Sequence, residues 1–330
     1  MIKPPALKGK YDIYPTYRID NNNISGGFES LSERIGKYGF VIVDGYNGAG
    51  FDVFRENIEK ILERKGISSS WKNFKDYYLP EEKLREITEP FLGGRDPLFG
   101  TRTTLSLEDF LIPGKKDSYR PDPERDINFV IGPGAAMIPL PGFLIYIDIP
   151  KNEILAASRR GEMTNLGFSS PSNPGEMYKY FYFVEWILLN RHKEKLLPLD
   201  DIYVDGQNPS APAWMEATIL RQTLGEMARN IFRVRPWFEP GTWGGSWIKN
   251  NIPGLRQDVP NYAWSYELIT PENGLLIESS SRLFEVSFDC LMFLEGGAVL
   301  GDCHSRFGNE FPIRFDFLDT FDGGNLSIQC

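Results

Sequence analysis

The run Gly39-Phe40-Val41-Ile42-Val43-Asp44, turned by Gly45-Tyr46-Asn47-Gly48-Ala49-Gly50 into a helical stretch, constrains this chain more than any other feature. A short apolar, β-branched run suits a strand covered on both faces, which is the environment of a parallel sheet. From Asp52 to Lys65 the residues Val53, Phe54, Ile58, Ile61 and Leu62 recur at helical spacing. Strand, glycine loop and helix together form a unit in which backbone N–H groups converge at a helix N-terminus, an arrangement suited to an anion.

The same grammar recurs downstream. Ile127–Ile131 ends in Gly132-Pro133-Gly134, and Phe143–Asp148 repeats the buried-strand texture. Asn152 to Arg160 and Met177 to Lys195 read as helices, and Ile202–Gly206 as a further strand end. This alternation predicts an α/β fold with a parallel sheet flanked by helices. Near residues 233–236 the texture changes to glycine turns, Trp and Pro with short strands such as Leu275–Glu278 and Leu283–Phe288. The organisation expected is a turn-rich arm over 1–35, an α/β domain over 36–233 and a β-rich domain over 234–330. A chain of 330 residues accommodates both.

A net charge of −9 and a pI near 5.0 argue against nucleic acid as a partner, since a phosphate backbone is held by clustered Lys and Arg. No run approaches the roughly 18 apolar residues needed to cross a bilayer, so no membrane association is expected. Cys290, Cys303 and Cys330 are odd in number and lack finger spacing, which fits a reducing, cytoplasmic setting.

Gly45 to Gly50 has the first part of the P-loop spacing, but the next two positions are Phe51 and Asp52. A P-loop has Lys there to reach the β/γ-phosphates and Ser or Thr to hold Mg²⁺. Over residues 36–206 the chain resembles the uridine-kinase-like P-loop nucleoside kinases. The resemblance rests on Val43-Asp44-Gly45, on Arg95–Gly100, and on Ile145–Asp148 followed by Arg159-Arg160 in a lid-like place. It implies Gly45, Asn47, Gly48, Gly50, Arg95, Arg159 and Arg160 as candidates for holding a nucleotide or phosphate. The alternative reading is that the glycines only permit a tight turn and that the arginines are solvated. Kinase activity is not expected, because Asp52 would repel a polyphosphate.

Residues 235–245 (Arg-Pro-Trp-Phe-Glu-Pro-Gly-Thr-Trp-Gly-Gly), Asn261–Trp264, Arg306–Pro312, Phe317–Asp319 and Asn325–Gln329 occur in the order found in type I mannose-6-phosphate isomerase. This resemblance implies the first part of a cupin barrel and interconversion of mannose 6-phosphate and fructose 6-phosphate. It also implies zinc, with Gln329 the one metal ligand that carries over, because the motif's His would lie beyond Cys330. The chain then reads as a truncated portion, inactive by itself. Asp316 stands where the family has a Lys.

Of the two histidines, His304 has no partner pattern for a metal, and His192, in a charged helix end, reads as a surface residue. A competing function is a regulatory module that binds a nucleotide or sugar phosphate at residues 45–50. A third possibility is a docking or dimerisation platform.

Overall fold

A computed structural model describes residues 16–20, 22–96, 100–227, 229, 232–238, 253–254, 264–269, 274–279, 282–287, 311–315 and 328–329. The elements run β1 (Thr16–Arg18), β2 (Ser25–Gly26), α1 (Phe28–Ile35), β3 (Phe40–Gly45), α2 (Phe51–Arg64), β4 (Ser69–Asn73), α3 (Glu81–Thr88) and β5 (Ile127–Ile131). There follow β6 (Phe143–Asp148), α4 (Lys151–Arg159), α5 (Pro174–Tyr180), α6 (Trp186–Leu196), β7 (Ile202–Asp205), β8 (Ala213–Glu216) and α7 (Ala217–Met227). The remaining strands are β9 (Phe232–Phe238), β10 (Trp264–Ile269), β11 (Gly274–Ser279), β12 (Arg282–Ser287), β13 (Phe311–Phe315) and β14 (Ile328–Gln329).

Two compact units result, one of residues 16–223 with 273–288, the other of 1–15, 224–272 and 289–330. The first is α/β, as the buried-strand pattern predicts. Its seven-stranded sheet has the order β2-β8-β7-β6-β3-β5-β4. β3 is parallel to both β5 and β6, β5 is parallel to β4, and β6 is parallel to β7. Only β8 runs against the rest, antiparallel to both of its neighbours, β7 and β2.

Each central strand is covered on both faces, which is why its sequence is continuously apolar. Val41, Val43, Phe129, Ile145 and Val204 pack in one core with Leu31 and Ile35 of α1 and with Phe54, Ile58 and Leu62 of α2. Trp71 on the edge strand β4 stacks on Phe129 at 3.9 Å.

The expected helix from Met177 to Lys195 is longer and interrupted. α5 and α6 are joined by a π-helical turn at Phe181–Glu185, and Asn173 caps the start through its side chain. Such a turn inserts one residue into the helical repeat and redirects the side chains around it.

Residues 16–18 and 25–26, which composition reads as arm, are strands. β1 pairs in parallel with β11, and β11 forms a hairpin with β12. Leu275, Leu276 and Ile277 are all buried, as are Phe284, Glu285 and Val286, so neither strand shows the alternation of a half-buried strand.

In the second unit β10-β9-β13-β14 form a sheet whose neighbouring strands are all antiparallel. The expected features at 239–245, 304, 306–310 and 316–327, and all three cysteines, lie outside the described residues.

Candidate functional site

In parallel α/β sheets, side chains at the carboxyl ends of the strands are the ones free to do chemistry. Here β3, β6 and β7 end on or next to acids: Asp44, Asp148 and Asp205. The glycine loop follows β3 at this edge and delivers the chain into α2. Any side chain at Gly45 would collide with the Ile147 carbonyl, since a Cβ would stand 2.2 Å from it. Gly50 precedes α2 in the left-handed conformation, φ 72°.

Asp44 is fully buried and every contact it makes is as an acceptor. Its Oδ1 takes N–H bonds from Gly45 (2.7 Å) and Gly134 (3.0 Å), and its Oδ2 takes one from Ala136 (2.8 Å). The fourth partner is His192 on α6, whose Nε2 lies 2.8 Å from Oδ2. A carboxylate offers no proton, so Nε2 carries the hydrogen. Asp44 thereby ties β3 to the turn after β5 and to α6.

His192 is therefore not a surface residue: it is 9% exposed. It shares a helix face with Leu188 and Leu196, both buried four residues to either side, and that spacing carries it inward.

One residue on, Lys193 is 4% exposed. Its ammonium donates to Asp148 Oδ1 at 2.9 Å and stands 5.7 Å from the ring centroids of Tyr46, Tyr146 and Tyr203. The negative ring faces and the carboxylate together replace the water it has lost. Burial pushes the pKa of Tyr146 and of Tyr203 well up, which keeps both phenols neutral. The other Asp148 oxygen accepts from the Ser287 N–H at 2.9 Å.

Glu185, in the π-helical turn, is 0% exposed and pairs with no cation among the described residues. Its Oε1 accepts from Asn47 Nδ2 (3.0 Å), and its Oε2 from the Leu166 N–H (2.7 Å) and Asn165 Nδ2 (3.3 Å). Burial pushes its carboxyl up to about 7, against the pull of those three bonds.

Asp205 is also raised, again by burial first. Gln207 bonds to it and, at 2.8 Å, to Glu285 Oε2, while Asp205 Oδ2 accepts from the Glu285 N–H at 3.0 Å.

The glycine-loop candidates lie together at this edge. Asn47 is turned away from the loop's mouth, donating to Glu185 and to the Thr164 carbonyl (2.8 Å). Gly48 lies against Met163, which a Cβ there would meet at 3.3 Å. Among the described residues the N–H groups of Asn47, Gly48 and Gly50 have no backbone acceptor, and no side chain caps α2.

The arginines do not join the loop. Arg95 and Arg159 are exposed, and Arg160 pairs with Glu162 at 2.7 Å. Gln329 stands in β14 opposite Arg314. Among the described residues no cluster of three or more His, Cys, Asp or Glu is placed to hold a metal ion.

Sequence reasoning found the loop but missed Asp44, Asp148, Glu185, His192 and Lys193 as a connected centre. The available signal was an acid closing each apolar strand.

Among the described residues no helix is long and apolar enough to cross a membrane. No curated protein and no solved structure significantly matches the chain. Residues 27–229 match a family described as a domain of unknown function (DUF8485). That match spans more than half of the chain and encloses the glycine loop and every acid just described except Glu285, so the chain belongs to the DUF8485 family.

Proposed function

We propose that the α/β unit is a non-catalytic binding module for a phosphorylated small molecule, a sugar phosphate or a nucleotide, held at residues 45–50. The observation that carries this reading is the set of N–H groups at Asn47, Gly48 and Gly50, left without backbone acceptors where α2 begins. An anion placed there takes up those donors and meets the positive end of the helix dipole. Lys151 adds positive charge nearby, its ammonium 5.9 Å from the Tyr46 ring and 4.8 Å from that of Trp186. The indole N–H of Trp186 is buried with no acceptor among the described residues, a further donor at this edge.

Transfer chemistry is not part of the proposal. Phe51 and Asp52 occupy the positions where Lys and Ser or Thr would manage a triphosphate and its Mg²⁺. The exposed carboxylate of Asp52 in the first turn of α2 favours a monophosphate over a triphosphate. Thermal unfolding with mannose 6-phosphate, UMP and MgATP, each against its unphosphorylated counterpart, tests this. Stabilisation by a monophosphate, abolished by Gly48→Asp, is the expected outcome. Equal effects of mannose and mannose 6-phosphate, and of uridine and UMP, would overturn it. Mg²⁺-dependent ATP hydrolysis would overturn the non-catalytic clause.

A second reading, membership of the mannose-6-phosphate isomerase family with a partial cupin in the second unit, is favoured by one observation. The segments that carry that resemblance overlap β9, β10, β13 and β14, the overlap with β10 being Trp264, and these strands pair in one antiparallel sheet with Gln329 on its edge strand. Gln329 is the one zinc ligand of that family carried here, so the chain alone is expected not to turn over mannose 6-phosphate. Chelator-sensitive isomerisation by this chain would sink that expectation.

A further inference from the structure

Away from the glycine loop, a cleft of about 350 Å³ opens between α3 with the turn after it and the segment from Asn165 to Tyr180. Its volume is at the lower end of the range for small-molecule sites, which runs from about 300 to 1,000 Å³. The lining combines flat apolar surface, from Phe168, Leu92 and Tyr180, with a rim of glutamates.

The charges of that rim are unevenly matched. Glu86 is held by Lys83 at 2.7 Å, and Arg85 is committed to Glu81 at 2.7 Å while lying 4.3 Å from the Phe168 ring centroid. Bonds from Ser169, with Arg85 beside them, pull the Glu81 carboxyl down to about 2, so it stays ionised and cancels Arg85. Glu82, Glu89 and Glu176 pair with no cation among the described residues, which leaves the cleft mouth negative.

A rim of acids alone is an ordinary solvated surface, but the floor adds an independent feature. Tyr180 is 2% exposed, and its hydroxyl, beside Thr88, accepts no hydrogen bond among the described residues. Thr88, the neighbouring hydroxyl, gives its own proton to the Leu84 carbonyl at 2.7 Å. Asn165 spends its amide N–H groups on Glu185 and the Met177 carbonyl, and its Oδ1 has no donor among the described residues. A buried polar group without a partner is costly unless a ligand completes it.

We propose that this cleft binds a small organic cation, an amine carrying a compact apolar body. Asn165 and Tyr180 accept hydrogen bonds from the ammonium, Phe168 and Leu92 pack on the body, and Glu82, Glu89 and Glu176 provide the attractive field. The proposal is independent of how the glycine loop is read.

The test is calorimetric titration of the full chain with three probes of one shape and different charge: 2-phenylethylamine, 2-phenylethanol and phenylacetate. The amine is expected to bind about tenfold or more tightly than the alcohol, and the carboxylate not at all; tenfold corresponds to ~1.4 kcal/mol. Added salt weakens the amine, since its attraction is partly long-range. The double variant Glu89→Gln/Glu176→Gln, on an exposed surface where folding is insensitive, is expected to cut amine affinity about tenfold and leave the alcohol unchanged. Tyr180→Phe removes a hydroxyl that accepts no hydrogen bond among the described residues, so it weakens the amine several-fold with little change in Tm. Equal binding of amine and alcohol, preference for the carboxylate, or no binding by any probe would each overturn the proposal.

Discussion

The acids under the sheet edge and the acids around the α3 cleft are the same chemical groups in opposite circumstances. Asp44 and Asp148 are buried, and both oxygens of each are occupied by N–H groups, an imidazole or an ammonium. Glu82, Glu89 and Glu176 stand at a surface with no cation of their own among the described residues. An acid whose partners are all internal holds the chain in one arrangement, whereas an acid without them is available to something outside. Glu185 lies between the two regions, since it is fully buried yet has only neutral donors.

Removing the most completely satisfied acid breaks the comparison hardest. Asp44→Ala strands three backbone N–H groups and the His192 ring without an acceptor, and should cost about 4 kcal/mol or more in urea unfolding. Asp44→Asn, which keeps an acceptor oxygen, should cost less. Next, Lys193→Met leaves Asp148 buried without its counter-charge, for a loss of about 3 kcal/mol. The double variant Asp148→Asn/Lys193→Met should recover part of that loss. If both single variants unfold at the wild-type urea concentration, the buried pair is not structural.

Glu185 gives a pH test of its intermediate position. Its carboxyl is raised in the folded state, so between about 4.5 and about 7 the folded chain holds a proton that the unfolded chain has released. Stability contributed by this group is therefore full below that window and falls as pH rises through it, by about 3–4 kcal/mol at most. Asp200, likewise raised to about 7 by burial, adds a slope of the same sign. Urea midpoints at the two ends of the window should draw closer together in Glu185→Gln, with the Asp200 share remaining; an unchanged gap would remove Glu185 from the account. The smallest effect belongs to the cleft, where Glu82→Gln, Glu89→Gln and Glu176→Gln should each stay within about 0.5 kcal/mol of the parent protein.

Much of this fold is legible because fully covered parallel strands are written as unbroken apolar runs. β3, β5, β6 and β7 all lie where such runs predict, as do α2 and α4 to within a residue or so. β4 is not legible: Ser69-Ser70-Trp71-Lys72-Asn73 is an edge strand with one large apolar residue. Neither is the pairing of β1 with β11, because a three-residue strand takes its identity from a distant partner. At the site, the glycine loop is a local pattern and could be read directly. The links Asp44 to His192 and Asp148 to Lys193 join residues 148 and 45 positions apart, and only the sheet order brings them together. His192 illustrates the difficulty, since its charged neighbours argue for solvent while Leu188 and Leu196 argue for the interior.

The hairpin formed by β11 and β12 sets an order of events during synthesis. β1 leaves the ribosome first, yet its partner strand follows about 260 residues later, where Thr16 and Arg18 meet Glu278. Asp148 and Asp205 receive their last N–H donors from Ser287 and Glu285 of the same hairpin. At roughly 5–20 residues per second, the nascent sheet waits on the order of 4–16 s between completing β7 and receiving that hairpin. Through that interval two strand-end carboxylates and a short N-terminal strand remain unfinished, an opening for chaperone capture or for pairing with the wrong strand.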